Sequence, residues 1–228
     1  MSDPVVIAID GPAASGKSST AARVSERLGL AHIDSGSLYR ALTWVGLTHG
    51  VAGSDAILAA AMEAELRLTK RGRDVIVVAG AGRRDIEAAI RAGDVTAGVS
   101  AVAALPAVRD WVNLRLRNAV REVDGAVLDG RDIGTVVFPD APLKVFLTAS
   151  PVARALRRLQ QRGGRFDGAE IQAEAERLAK RDLLDASRVV APLRQAPDAV
   201  VVDSTDLGFD SQVEQIVELA RKRGLLAP

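Results

Sequence analysis

The chain has 228 residues, of which 48% are hydrophobic, and its 30 Lys and Arg against 29 Asp and Glu give a net charge of +1. This length predicts one folded domain, or one domain that carries an insertion, with an ample core. Because Cys is absent and only two His are present, thiol chemistry and cysteine-bound metals are excluded, and a His-rich metal site or a Ser-His-Asp triad is disfavoured. The balanced charge favours neither nucleic acid nor an acidic membrane as a partner.

The N-terminal segment and the uncharged runs bear on location. Residues 1–10 have no basic flank, and their apolar run is too short for a signal peptide. The longest uncharged stretch, residues 95–108, is shorter than a membrane span and contains Pro106. We therefore expect a cytoplasmic protein that does not bind a membrane.

Strand and helix signals alternate in the first 50 residues. The β-branched run from Val5 to Ile9, which ends at Asp10, is typical of a buried strand in a parallel sheet. Helical patterns closed by Gly29 and by Gly50 predict two helices with a short strand between them. The order is therefore strand, helix, strand and helix, at residues 5–9, 17–28, 31–33 and 35–49.

The alternation stops at Ser54 and resumes near residue 124. Ser54 is the predicted N-cap of a helix that ends at Leu66, and Gly72 marks the turn of a hairpin. This part is predicted to form a helix, a hairpin and two helices separated by Pro106, at residues 54–66, 67–79, 94–105 and 107–123. We interpret residues 54–123 as an insertion beside the main sheet.

Strands and helices alternate again after the insertion. The predicted strands cover residues 126–128, 143–148 and 199–202. The predicted helices cover residues 151–161, 169–185 and 210–223. Alternation of this kind predicts an α/β fold, in which helices cover both faces of a parallel sheet.

The turn after the first strand fits the pattern Gly-x-x-x-x-Gly-Lys-Ser/Thr at every position, directly before a helix. Its backbone N–H groups would converge on phosphate at the helix N-terminus, Lys17 would reach the β- and γ-phosphates, and the Ser18 hydroxyl would bind Mg²⁺. We expect this loop to bind ATP with Mg²⁺ through Gly11, Pro12, Ala13, Ala14, Ser15, Gly16, Lys17, Ser18 and Ser19.

A phosphate-binding loop does not identify the acceptor, so the remaining sequence must do so. The pair Gly80 and Gly82 lacks the third glycine of a dinucleotide loop, and we interpret it as a connection. The sequence contains neither an Asn-Lys-x-Asp guanine-binding element nor the Leu-Ser-Gly-Gly-Gln element of transport ATPases. A small kinase remains as the main hypothesis.

Four further segments carry a resemblance to a known family. They are residues 34–40 (DSGSLYR), 128–139 (LDGRDIGTVVFP), 181–182 (RD) and 187–193 (SRVVAPL). With the phosphate-binding loop, they make the chain resemble the bacterial cytidylate kinases from end to end. The resemblance implies a single domain, residues 1–228, with a three-layer P-loop kinase core and a five-stranded parallel sheet. It also implies a monophosphate-binding insertion near residues 54–123 and a short lid near residues 154–168.

The resemblance implies transfer of the ATP γ-phosphoryl group to CMP, and also to dCMP, by a monomeric enzyme. On this basis Asp129 would hold Mg²⁺ with Ser18, although pairing of Asp129 with an arginine is an alternative. The acceptor phosphate would be bound by Ser35, Arg40 and Arg131, with Arg188 reaching the same nucleotide. A solvated helix position is the alternative for Arg40.

Two further groups of residues would recognise the base and the sugar. The resemblance assigns Asp132 to the cytosine together with Ser100 and Arg109, with a packing or capping role as the alternative for Ser100. It assigns Asp185 to the ribose hydroxyls with Arg181 beside it, and an ion pair within one helix is the alternative. The stretch around residues 83–100 aligns only loosely with the family.

The predicted lid is rich in arginine around Gly163 and Gly164. The helix before these glycines presents Arg154, Arg157, Arg158 and Arg162 on one side, and Arg165 follows. The resemblance makes Arg154, Arg157 or Arg158 the cation on the donor side of the transition state. The predicted catalytic residues are therefore Lys17, Arg131, Arg154 and Arg158.

Two alternative functions remain open. One is a P-loop kinase that acts on another small acceptor, such as UMP, AMP or a metabolite that is not a nucleotide. The other is a nucleotide-dependent switch that has no small acceptor. The set of Ser35, Arg40 and Arg131 argues against the switch, because a switch has no second phosphate to hold.

Overall fold

A computed structural model describes residues 4–163 and 165–225 of the chain. Gly164, part of the predicted lid tip, lies outside these residues. The strands are β1 Val5–Asp10, β2 Ala31–Asp34, β3 Arg67–Arg71, β4 Asp74–Ala79, β5 Arg84–Asp85, β6 Gly125–Gly130, β7 Leu143–Thr148 and β8 Val200–Asp203. The α-helices are α1 Lys17–Leu28, α2 Ser35–His49, α3 Ser54–Glu63, α4 Glu87–Ile90, α5 Gly93–Val102, α6 Pro106–Arg121, α7 Pro151–Arg162, α8 Gly168–Ala186 and α9 Phe209–Lys222. A π-helical turn covers Ile133–Val137.

The strands form one sheet in the order β3-β4-β2-β6-β1-β7-β8, with β5 paired to β4. The six strands from β4 to β8 in this order are parallel, while β3 and β5 run antiparallel to β4. The predicted α/β class is confirmed, but the predicted count of five strands is too low for the part of the chain that the structure describes.

The difference in strand number comes from the hairpin of the insertion. Its strand β4 pairs with the edge of β2 through His32 and Ile33, and the His32 N–H donates to the Arg73 carbonyl at 2.9 Å. Without this pairing the edge of β2 would leave its backbone groups unpaired. The prediction that the insertion lies beside the sheet is therefore corrected, because its hairpin extends the sheet.

The strand β1 is buried on both faces, as its continuous apolar run predicted. Val6 and Ala8 pack with α2 and α6 in one core cluster. Ile7 and Ile9 pack with α1 and α9 in a second cluster on the opposite face. The sheet is therefore the middle of three layers, and β1 lies in its interior between β6 and β7.

The helix boundaries show where local signals were sufficient. The helices α1 and α2 have the predicted bounds, and Gly29 and Gly50 end them with φ of 76° and 63°. The N-cap prediction for Ser54 is wrong, because Gly53 takes that position with φ of 82° and Ser54 is the first helical residue. Within the described residues no single helix has the length and hydropathy to span a membrane. In the same described residues, α2 and α3 reach that length and hydropathy only when they are taken together, and the two helices are bent by 91° relative to each other.

Candidate active site

The predicted site residues meet at the carboxyl ends of the central strands. Asp10 ends β1, Asp34 ends β2 and Asp129 lies near the end of β6. The Ser35 hydroxyl at the start of α2 donates to the Asp129 carbonyl at 2.7 Å, which joins two of these strand ends. Ligands of parallel α/β sheets bind at this edge. The sequence prediction that these segments form one site is consistent with this placement.

The P-loop connects β1 to α1 in a conformation that requires glycine. A Cβ at Gly11 would lie 2.1 Å from the Leu147 carbonyl oxygen, and Gly16 has φ of 91°. The Lys17 ammonium is buried and donates to the Pro12 carbonyl at 2.6 Å. Burial lowers the pKa of Lys17 well below its usual value, and the positive charge of Arg131 lowers it further.

Ser18 and Asp129 provide a pair of oxygen ligands beside the P-loop. The Ser18 hydroxyl donates to Asp129 Oδ2 at 2.5 Å, and the Asp129 carboxylate is buried. A hydroxyl and a carboxylate are the donors that Mg²⁺ prefers, so these residues fit the ion. In residues 4–163 and 165–225 no arginine pairs with Asp129, which removes the alternative considered from the sequence.

His32 occupies the other oxygen of Asp129. Its Nε2 lies 3.0 Å from Asp129 Oδ1, and its Nδ1 lies 3.3 Å from Asp74 Oδ1 on the insertion hairpin. Burial acts to lower the pKa of His32, but the hydrogen bond and charge of Asp129 outweigh it and raise that pKa. Sequence reasoning did not select His32, although its position two residues before the end of β2 places it at the site edge.

Three arginines of the site form no ion pair with a described carboxylate, although Asp34, Glu174 and Asp185 lie near enough to oppose part of their charge. They are Arg40, Arg158 and Arg181. Arg40 donates to Thr96 Oγ1 at 2.8 Å, whereas the Nε of Arg181 is buried without a hydrogen-bond partner. Burial lowers the pKa of each, and neighbouring guanidinium groups lower it further. The pKa of Arg181 falls to about 10. Guanidinium groups without ion-pair partners in a partly buried site are suited to an anion.

Asp185 joins residues that the sequence assigned to separate tasks. It accepts from Arg131 Nε at 3.0 Å, from Arg188 at 2.5 Å and from the Ser100 hydroxyl at 3.3 Å. Burial acts to raise the pKa of Asp185, but Arg131 and Arg188 outweigh it and lower that pKa. Among the described ion pairs, Asp185 bonds these arginines and not Arg181, its neighbour one turn earlier.

Asp132 pairs with Arg109 in a buried position. The Arg109 guanidinium, only 1% exposed, donates to Asp132 and to the Ala103 carbonyl, the latter at 3.0 Å. The backbone N–H groups of Ile133 and Gly134 donate to the Asp10 carboxylate, and burial raises the pKa of Asp10 to about 6. The predicted pair of Asp132 and Arg109 is in contact, whereas the structure brings Ser100 to Asp185 instead.

The three lid arginines have different surroundings. Arg154 is buried and donates to Asp182, to the Ala13 carbonyl and to the Ala149 carbonyl. Arg157 donates to the Ser204 hydroxyl at 2.9 Å. Arg158 makes no hydrogen bond or ion pair with the described residues, and it is the lid arginine with a free guanidinium among these three.

A cavity of about 410 Å³ adjoins the P-loop on the side of α7 and α9. It combines apolar and amide side chains with one arginine, which is a lining suited to a flat polar ring. The lining residues include Gly16, Arg157, Gln160, Gln161, Leu207, Phe209 and Gln212. No residue for the donor base was predicted from the sequence. Because the chain has few aromatic residues, each of them, including Phe209, was a candidate for stacking on a base.

A mostly parallel sheet, a P-loop after its interior strand β1 and a second cationic site beside that loop define a P-loop protein with sites for two anionic groups. A family model described as cytidylate kinase matches residues 7–222. A cytidylate kinase of Streptomyces avermitilis is 43% identical over 223 residues, which cover 96% of this chain and 94% of that protein. A cytidylate kinase of Streptococcus pyogenes is 39% identical over 219 residues and 96% of each chain. This chain belongs to the cytidylate kinase family.

Proposed function

We propose that this chain transfers the γ-phosphoryl group of ATP to CMP, and to dCMP, to give the nucleoside diphosphate and ADP. The observation that carries the proposal is the pairing of two unlike anion sites. One is the P-loop with Lys17, and the other contains Arg40, Arg158 and Arg181, which form no ion pair with a described carboxylate. A kinase must hold a donor and an acceptor phosphate with their reacting ends in line.

On the donor side, the P-loop N–H groups and Lys17 would bind the ATP phosphates. Ser18 and Asp129 would hold Mg²⁺, which when bound would neutralise charge on the phosphates. The cavity between α7 and α9 lies where the donor base would extend from the P-loop. Its amide side chains, Gln160 and Gln161, can both donate and accept hydrogen bonds from a purine.

On the acceptor side, Ser35, Arg40, Arg131 and Arg188 would bind the CMP phosphate. Arg158 would be the lid residue that contacts the transferred phosphoryl group, because Arg154 and Arg157 already donate to protein oxygens. The chain's residues would act by positioning and by neutralising charge, since phosphoryl transfer between nucleotides needs no covalent intermediate.

Specificity for cytosine would depend on Asp132 and Arg109. An acceptor carboxylate suits the cytosine amino group, and a guanidinium suits the carbonyl and ring nitrogen acceptors. Asp185 would accept from the sugar hydroxyls while it holds Arg131 and Arg188. Residues 54–123 would form the monophosphate-binding insertion, and residues 154–168 the lid.

We also propose a cytoplasmic monomer with no nucleic-acid or membrane partner, which the net charge of +1 supports. Light scattering coupled to size-exclusion chromatography tests the monomer directly. A mass near 48 kDa, twice the chain mass of 24.0 kDa, would contradict it.

The test of function is ADP formation from ATP, measured with CMP, dCMP, UMP, AMP or no acceptor. We expect rapid turnover with CMP and dCMP and little ATP hydrolysis in the absence of an acceptor. Preferential turnover of UMP or AMP would identify a kinase with another acceptor. Equal ADP formation with and without acceptors would instead identify an ATPase or switch.

A further inference from the structure

Ala13 of the P-loop is held from outside the loop at both of its backbone polar atoms, which belong to two successive peptide units. The Ala13 N–H donates to Asp182 Oδ1 at 2.8 Å, and the Ala13 carbonyl accepts from Arg154 Nη1 at 2.9 Å. Asp182 and Arg154 also form an ion pair with each other. We call these two side chains the Ala13 clasp. The clasp joins α7, which carries Arg154, and α8, which carries Asp182, to the P-loop.

The clasp has one buried member, Arg154, and one partly exposed member, Asp182, and it lies beside a strained backbone position. Arg154 is 6% exposed, and its Nε also donates to the Ala149 carbonyl at 3.2 Å, so its guanidinium is fixed at three points. Ala14, the next residue along the P-loop, has φ of 57°, a left-handed conformation that a non-glycine residue adopts at a cost. Such a backbone persists when the surrounding structure holds it in place.

The orientation of the two peptides that flank the Ala13 Cα matters for the donor site. In a P-loop the backbone N–H groups bind phosphate only if successive peptides point at a common centre. The peptide between Pro12 and Ala13 is held at its N–H and the peptide between Ala13 and Ala14 at its carbonyl, which restricts the rotation of both. The clasp therefore determines how the chain leaves Ala13 and enters the phosphate-binding part of the loop.

We propose that Asp182 is a positioning residue for the donor site, which acts through Ala13 and Arg154 to hold the P-loop in its binding conformation. The position of α7 and α8 then sets the shape of the ATP site. Arg154 belongs to this support and not to the groups that contact the transferred phosphoryl group. The inference rests on the proposed function only in taking ATP as the ligand of the P-loop.

The chain offers a matched control in a second ion pair between α7 and α8. Arg162 Nη1 donates to Glu174 Oε2 at 3.0 Å, and Glu174 is buried as well. This pair joins the same two helices without contacting the P-loop. Glu174→Gln therefore weakens the contact between the helices while leaving the Ala13 clasp in place.

The experiment measures the Kd of ATP by calorimetry without acceptor, and the KM of ATP and of CMP in the coupled assay. We expect Asp182→Ala to raise the Kd and the KM of ATP about tenfold or more, with the KM of CMP changed by less than about twofold. Asp182→Asn retains an oxygen that can accept from Ala13, so we expect a smaller rise. Glu174→Gln should leave all three constants within about twofold.

Several results would overturn the proposal. They are an unchanged Kd of ATP in both Asp182 variants, an equal rise in the KM of ATP and CMP, and an equal effect of Glu174→Gln. If Asp182→Ala does not fold, Asp182→Asn decides by the same criteria. The Kd of ATP needs no acceptor, so a wild-type chain that binds ATP but does not phosphorylate CMP would contradict the proposed function and leave this test intact.

Discussion

The donor and acceptor sides of the site differ in how their cations are held. On the donor side, Lys17, Arg154 and Arg157 all donate to oxygen atoms of the protein. Arg158 of the lid and Arg181 beside the acceptor residues have no hydrogen-bond partner among the described residues, and the charge of Arg158 lowers the pKa of Arg181. The donor-side cations are therefore all held by protein contacts. The acceptor side combines Arg131 and Arg188, which Asp185 holds, with Arg181, which forms no described ion pair.

This difference separates two uses of charge in one active site. A held cation gives a defined geometry before ATP arrives, which is the preorganisation that phosphoryl transfer needs. A cluster of guanidinium groups without ion-pair partners attracts a dianion, and the binding of that dianion stabilises the protein. The predictions below alter one side at a time, so the expected effect should appear in one substrate and not in the other.

The largest effect is expected from Lys17→Met. This change removes the point charge on the ATP phosphates, and we expect kcat to fall about 100-fold or more. The variant should remain folded, because Lys17 is buried with a lowered pKa and methionine fills similar space. Steady-state kinetics and thermal unfolding test both points, and activity within a few-fold of wild type would contradict the P-loop assignment.

The next effect concerns the acceptor side. Asp185→Ala removes the carboxylate that holds Arg131 and Arg188, and we expect the KM of CMP to rise about tenfold or more while that of ATP changes by less than about twofold. Glu176→Ala, an exposed change on the same helix, is the control. Equal increases for ATP and CMP would show that Asp185 only stabilises α8.

A specificity effect of similar or smaller size is expected from Asp132→Asn. The amide can donate to the uracil carbonyl, so kcat/KM for CMP should fall and the ratio of CMP to UMP should narrow about tenfold, or about 1.4 kcal/mol. Asp110→Asn, an exposed change beside Arg109, is the control. If both substrates lose activity equally and the ratio holds, Asp132 supports the fold of the site and does not contact the base.

The smallest effect is on stability. The charged form of Arg181 is disfavoured by burial and by Arg131, so Arg181→Met should raise the Tm of the unliganded protein by about 2 °C. Sulfate should stabilise this variant less than the wild type. Arg177→Met removes an exposed arginine of α8 that pairs with Glu174 and should not raise the Tm. A lower Tm for Arg181→Met would show that Arg181 is not under repulsion in the unliganded protein.

Local signals predicted much of the fold. The bounds of α1 and α2 follow from helical periodicity closed by a glycine. The strand β7 has its predicted bounds, and its Val145, Phe146 and Thr148 are residue types that favour strands. The strand count depended on tertiary pairing. The contact of β4 with β2 involves two residue pairs that are far apart in sequence, and the periodicity of the sequence does not indicate such a pairing.

The sequence predicted which residues lie near the candidate site better than it predicted which of their side chains contact one another. Lys17, Ser18 and Asp129 lie together because the P-loop and the end of β6 meet at one sheet edge. The partners of the arginines were not predictable, because many arginines occur near several carboxylates and side-chain packing selects among them. Arg154 donates directly to the Ala13 carbonyl and pairs with Asp182, and Ser100 contacts Asp185. The sequence did not predict His32 as a site residue, because a single histidine in a short strand belongs to no spacing pattern.

The position of β1 between β6 and β7, which both follow it late in the sequence, has a consequence for folding. Val5 pairs with Gly125 and Ile7 pairs with Leu143, so the neighbours of this strand follow it by about 120 residues or more. Parallel pairings over such distances form slowly. At translation rates of roughly 5–20 residues per second, the run from Val5 to Ile9 waits on the order of 10 s for β6. The strand that leads into the P-loop therefore remains without its partners during much of synthesis, and we expect aggregation of the nascent chain to begin at this apolar segment.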